Sequence, residues 1–283
     1  MSIGTIMVIG AGQMGRGIVQ VAAEAGKQVR WMDISSAMLG KGIAYLDQQL
    51  ERSVAKGIRN QDDKSAILSQ VQLTASLQEA SECELVIEAI AENMSVKQAL
   101  FRELDEVCTE GTILATNTSS LPITEIAAVT SRASHVIGMH FMNPVPVMRL
   151  VEVIRGLETT QTVYDSIVQL SLELGKTPVE VQDFPGFVSN RILMPMINEA
   201  VFTVYEGVAT AEAVDTVMKL GMRHPMGPLE LADLIGLDTC LAIMDILYEG
   251  FKDSKYRPCP LLRKYVKAGR LGRKSGQGFY TYT

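Results

Sequence analysis

Ile6-Met7-Val8-Ile9-Gly10-Ala11-Gly12-Gln13-Met14-Gly15 decides the fold of this chain. The first four residues read as a buried strand. Arg16 to Ala25 reads as a helix ended by Gly26. A G-x-G-x-x-G turn between them makes a site for a diphosphate. Gly10 permits the tight turn, Gly12 lets backbone approach a ligand, and Gly15 lets helix and strand pack closely. Gln13 and Met14 fill the variable positions at the start of the helix, whose N–H groups and dipole favour an anion.

A second strand, Gln28 to Met32, follows the helix and ends at Asp33, 18 residues past Gly15. A carboxylate there would accept hydrogen bonds from the 2′- and 3′-hydroxyls of a ribose and repel a 2′-phosphate. The expected cofactor is therefore NAD, with NADP left as the alternative because Arg30 and Ser35 flank the acid. A plainer reading makes Gly10–Gly15 a mere turn and Asp33 the N-cap of the next helix.

With 283 residues, the chain has room for one large domain or two ordinary ones. A 47% hydrophobic and 20% charged composition supports a sizeable core. The net charge of −6, with no basic run, argues against nucleic acid or a membrane surface as a partner. Cys83, Cys108, Cys240 and Cys259 are scattered, as are the three histidines, so no metal site is expected. Reduced thiols and the absence of a recognisable leader point to the cytoplasm.

Strands and helices alternate through the first half. A long charged helix is read over Ser36 to Gly57 and another over Val96 to Cys108. Strands are read at Glu84 to Ile90, Thr112 to Ala115, Val136 to His140, Val151 to Ile154 and Pro178 to Val181. This alternation predicts an α/β fold, a Rossmann-type doubly wound parallel sheet. At Asp183-Phe184-Pro185-Gly186 the pattern turns wholly helical: Asn190 to Tyr205, with Pro195 as a kink or break, then Ala211 to Leu220 and Leu229 to Leu247. The expected domains are residues 1–183, binding the dinucleotide, and residues 184–283, an all-helical domain for substrate and dimerisation.

Ligands of such sheets bind beyond the carboxyl ends of the strands. Three polar clusters fall there: Glu92-Asn93, Asn117 to Ser120 and His140 to Asn143. An imidazole at His140 could take the proton of a substrate hydroxyl as hydride leaves the same carbon. Glu152, on the next strand, could hold its tautomer. The plain alternatives are a core histidine and a surface carboxylate. Ser119 and Asn190 could orient a carbonyl or hydroxyl oxygen. Arg52, Lys56 and Arg59 recur at helical spacing, suited to phosphates or to a solvated flank with Lys56 paired to Glu51 or Asp47. Met194, Met196, Met218, Met222, Met226 and Met244 could line a dimer contact.

Five longer strings carry a family likeness: Ala115 to Thr124, Gly138 to Val145, Asp183 to Arg191, Pro225 to Asp233 and Gly272 to Tyr280. In order and over nearly the whole chain, they resemble the 3-hydroxyacyl-CoA dehydrogenases. At this length the chain looks like the short-chain bacterial members acting on 3-hydroxybutyryl-CoA. The resemblance implies hydride exchange with NAD(H) between (S)-3-hydroxybutyryl-CoA and acetoacetyl-CoA. It makes His140 the general base, Glu152 its partner, and Ser119 and Asn190 the holders of the substrate's 3-oxygen. It puts Asn117 and Asn143 near the nicotinamide, Glu92 and Lys97 beside the cofactor's ribose and nicotinamide, and Asp33 at the adenosine ribose. It also implies Lys56 and Arg52 near the CoA phosphates, and a homodimer through the C-terminal domain. Two rivals stay open: a dehydrogenase of a free hydroxy or sugar acid, and a non-catalytic NAD-binding protein. The absence of lysine between Gly186 and Lys219 speaks against the lysine-based hydroxy-acid type.

Overall fold

The computed structural model describes residues 3–282. The chain divides after Asp183 into two compact units. In the first, β1 (Thr5–Ile9), α1 (Gln13–Glu24), β2 (Gln28–Met32), α2 (Ser36–Ala55), α3 (Gln61–Ser69) and β3 (Val71–Thr74) are followed by β4 (Leu85–Glu88), α4 (Met94–Val107), β5 (Ile113–Thr116) and α5 (Ile123–Ala127). β6 (Val136–Phe141), β7 (Leu150–Arg155), α6 (Gln161–Glu173) and β8 (Thr177–Gln182) complete it. The eight strands form one sheet in the order β3-β2-β1-β4-β5-β6-β7-β8. The central strands are apolar runs with both faces covered, which suits parallel pairing.

The sheet is not parallel throughout. β7 runs antiparallel to β6, and β8 is parallel to β7. Only residues 142–149 join β6 to β7, too few for the helical crossover that a parallel pair needs. This reversal places His140 directly opposite Glu152.

α2 stops at Ala55 rather than Gly57, with Lys56 as its cap and Gly57 at φ +69°. Ser35, not Asp33, caps its start by accepting from the Met38 N–H. α3 follows behind a capping box of Asn60 and Asp63.

The second unit is helical: α7 (Ser189–Tyr205), α8 (Ala211–Gly221), α9 (Pro228–Ile235), α10 (Leu237–Phe251) and α11 (Pro260–Lys267). α7 contains Pro195 without ending there. The helix expected over Leu229 to Leu247 is instead two, because Gly236 at φ +103° turns the chain between them. Met194 and Met244 are fully buried in this unit's core, so they cannot line a contact surface; Met222 is exposed.

Two buried carboxylates knit this unit to its last residues. Asp215 accepts from the N–H groups of Leu229 and Glu230 and from the Tyr280 hydroxyl. Asp233 accepts from the N–H groups of Phe279 and Tyr280 and from the Tyr282 hydroxyl. Both are desolvated, and these donors replace the lost water.

Candidate active site

β1, β4, β5 and β6 are mutually parallel, so their carboxyl ends share one rim. The glycine turn leaves β1 there. Gly10 has φ +113°, and a Cβ on it would lie 2.5 Å from the Ala89 carbonyl oxygen. A Cβ on Gly15 would lie 1.9 Å from the Gly10 oxygen, so helix and turn touch backbone to backbone. Gly12 differs: it caps α1 with no side-chain bond, and a Cβ there would meet no protein atom within 4 Å. Gly10 and Gly15 shape the turn, and Gly12 keeps a space open.

That space belongs to a cavity of about 750 Å³, lined by residues 9–14, Asp33, Ile34, residues 89–91 and the α4 residues Val96, Ala99, Leu100 and Glu103. Asp33 is held from both sides, one oxygen accepting from the Ala11 N–H at 2.7 Å and the other from the Ser35 N–H at 2.8 Å. Each oxygen keeps a lone pair for a further donor. An apolar wall, a fixed carboxylate and an uncapped helix start fit a dinucleotide with a free ribose diol.

Beside the cavity lies a buried charged cluster. Glu88, at the end of β4, is fully buried. It accepts from the Lys97 ammonium at 2.5 Å, from the Thr116 hydroxyl at 2.7 Å and from the Ile90 N–H at 2.7 Å. Lys97 is itself buried and stands 3.5 Å from Glu92. Glu92 Oε1 faces the hydroxyl and N–H of Ser119 and Ser120 and the hydroxyl of Thr118, at 2.7–3.2 Å. Burial pushes the Glu92 carboxyl up, but Lys97 and these donors outweigh it and hold it below the usual carboxylate range. Glu92 and Lys97 are thus joined, but Lys97's closer partner is Glu88, which sequence reasoning missed. The available signal was an acid inside the apolar run Leu85 to Ile90: such a group needs a partner.

Two asparagines tie neighbouring strand ends together. Asn117 accepts from the Phe141 N–H at 2.9 Å, joining the end of β5 to that of β6. Asn143 accepts from the Gln13 side chain at 3.0 Å, joining the loop after β6 to the glycine turn. His140 Nδ1 lies 2.7 Å from Glu152 Oε2, with both side chains buried. β7 is no edge strand, since β8 covers it, and Glu152 is not a surface carboxylate. If Nδ1 carries the proton donated to Glu152, Nε2 is left with a lone pair to accept one.

Asn190 is a buried amide in the first turn of α7, in the second unit. The proposed basic face does not form as a set. Arg52 and Lys56 are exposed at the end of α2. Arg59 lies past Gly57 and donates to Glu24 at 2.8 Å, while Asp47 and Glu51 are taken by Lys64. Gly57 ends the helix before the third basic residue of the pattern can join its face.

Comparison with known proteins decides the family. The description "3-hydroxyacyl-CoA dehydrogenase, NAD binding domain" matches residues 5–184, and that family's C-terminal domain matches residues 186–282. The chain belongs to the 3-hydroxyacyl-CoA dehydrogenase family. It is 61% identical over 282 residues to a probable 3-hydroxybutyryl-CoA dehydrogenase of Bacillus subtilis, covering 100% of the chain and 98% of the relative. The crystal structure of an (S)-3-hydroxybutyryl-CoA dehydrogenase from Ralstonia eutropha matches with a TM-score of 0.98 at 49% identity, covering all of both chains. The human mitochondrial hydroxyacyl-coenzyme A dehydrogenase is 42% identical over 284 residues, covering 98% of the chain and 90% of the relative. As a 3-hydroxyacyl-CoA dehydrogenase the chain is an oxidoreductase, and the cavity behind its glycine turn lies in the NAD-binding domain. Among the described residues, no helix is long and apolar enough to cross a membrane.

Proposed function

We propose that this protein interconverts (S)-3-hydroxybutyryl-CoA and acetoacetyl-CoA with NAD(H). The buried His140–Glu152 pair, joining β6 to β7 with His140 near the rim that the glycine turn shares, carries this reading. Bound NAD supplies the acceptor for hydride from C3 of the hydroxyacyl group. His140 takes the hydroxyl proton on Nε2 as the alcohol becomes a ketone and returns it in the reverse direction. Glu152 holds the Nδ1–H tautomer and stabilises the imidazolium that forms. Ser119 and Asn190 orient the 3-oxygen. Asn117 and Asn143 fix the strand ends beside the nicotinamide, and Asp33 receives the adenosine ribose. Lys56 and Arg52, exposed and outside the ion pairs of Lys64, suit the phosphates of CoA.

Purified protein is expected to oxidise NADH when given acetoacetyl-CoA and to discriminate against NADPH. Folded protein that binds NADH but turns over neither this thioester nor longer 3-oxoacyl-CoA would overturn the reading. Turnover of free 3-oxo acids alone would replace it with a hydroxy-acid dehydrogenase. The residues up to Asp183 serve the cofactor, and those from Phe184 serve substrate and pairing. Exposed apolar side chains on the second unit, among them Ile192, Val208, Val217 and Leu220, support a homodimer formed through it. Light scattering at micromolar concentration is expected to give twice the chain mass. The four buried thiols, none in a disulfide, suit a reducing cytoplasm.

A further inference from the structure

We propose that Lys176, which none of the chemistry above uses, is a positioning residue for NAD(H) binding, acting through the loop of residues 142–149. The proposal rests on the reading of Asn143 as a cofactor residue.

Lys176 precedes β8 and is 6% exposed. No carboxylate lies within ion-pair distance of it among the described residues. The nearby acids are engaged elsewhere, Glu24 with Arg59 and Glu173 with Lys27. Burying an ammonium without a counter-ion is costly unless strong acceptors replace its water. The acceptors are two carbonyls of one loop: Lys176 Nζ donates to the oxygen of Val145 at 2.5 Å and to that of Met148 at 2.9 Å.

Apart from its far end, where the Arg149 oxygen accepts from the Thr177 N–H at 2.7 Å, that loop has few other holds. It contains no helix or strand, and only Val145 among its residues is buried. Its internal bonds run from the N–H groups of Val147 and Met148 to the Pro144 oxygen. Toward α1, Val145 packs where a Cβ on Gly17 would come within 2.6 Å of its own Cβ. Asn143 meets Gln13 of the glycine turn two residues earlier. Lys176 therefore pins the middle of a segment, at Val145 and Met148, whose near end sets Asn143 against the cofactor turn. Without it, two carbonyls lose their donor and Val145 is held on one side only.

Lys176→Met, which keeps the apolar stem, is expected to weaken NADH binding about 5–10-fold by fluorescence titration, with kcat at saturating NADH changed less than about 3-fold. Lys176→Gln, which keeps a shorter donor, is expected to fall between it and the parent and guards against a fold lost in the first variant. The deciding measurement is a double-mutant cycle with Asn143→Ala. If Lys176 acts through the loop, Lys176→Met adds little to the loss already caused by Asn143→Ala. Additive losses, or unchanged NADH affinity in both Lys176 variants, would overturn the proposal. Unchanged affinity in Asn143→Ala itself would overturn the reading of Asn143, and with it the route assigned to Lys176.

Discussion

The sheet of the first unit buries two carboxylates, and they are paired differently. Glu88, at the end of β4, meets an ammonium, a hydroxyl and an N–H. Glu152, in β7, meets an imidazole. A lysine keeps its charge throughout a reaction cycle, whereas an imidazole gains and loses one. Glu88 therefore sits in an electrostatic balance that does not change during turnover. In the proposed reaction, Glu152 faces a partner whose charge changes. The first arrangement suits holding a shape, and the second suits stabilising a transient charge.

Removing the changing partner should have the largest effect. His140→Ala is expected to lower kcat about 10³-fold or more, with NADH affinity held within about 2-fold, by steady-state kinetics and fluorescence titration. Making the same substitution at both carboxylates tests the contrast itself. Glu152→Gln is expected to cost about 10²-fold in kcat and only about 1 kcal/mol of stability. Glu88→Gln is expected to do the reverse. It leaves Lys97 buried without its near partner, costing about 3–5 kcal/mol in urea unfolding, with kcat per folded molecule within about 10-fold. If Glu88→Gln lost kcat and kept its stability, the division of roles would fail.

The smallest effect is a pH dependence that refines the Glu88 side of the contrast. Glu92, tied to the same lysine, has its carboxyl held below the usual range in the folded state. Its stabilising contribution is thus present at neutral pH and is lost as pH falls through the lowered value. The urea midpoints of the parent and Glu92→Gln should converge in acid. A constant gap down to acid pH would contradict this.

The two carboxylates also differed in how far the sequence revealed them. His140 ends an apolar run, and Glu152 lies on the following strand. The eight-residue connection between the strands is enough to suggest a hairpin-like return, although the alternation pattern favoured a parallel one. Glu88 was hidden because a single acid in Leu85 to Ile90 looks like a strand's polar interruption, and its partner lies nine residues on, in a helix. The glycine turn was legible because its spacing is a local signal, even though Gly10 answers to backbone at Ala89, beyond the neighbouring strand β4. Helix ends were less so. The spacing of Arg52, Lys56 and Arg59 continues a helical rhythm past Gly57, and that of Leu229 to Leu247 continues one through Gly236. In both places a left-handed glycine overrides a pattern that side chains alone would extend. Lys176 carries no local signal, since its acceptors are carbonyls 28 and 31 residues away.

The knot around Asp215 and Asp233 bears on the order in which the protein can be made. Four of its hydrogen bonds come from residues 279–282, while both carboxylates belong to helices completed more than forty residues earlier. During synthesis those acids must wait, hydrated, until residues 279–282 have emerged from the ribosome. The first unit can close while those residues are still being made, but the second can be finished only once they have emerged.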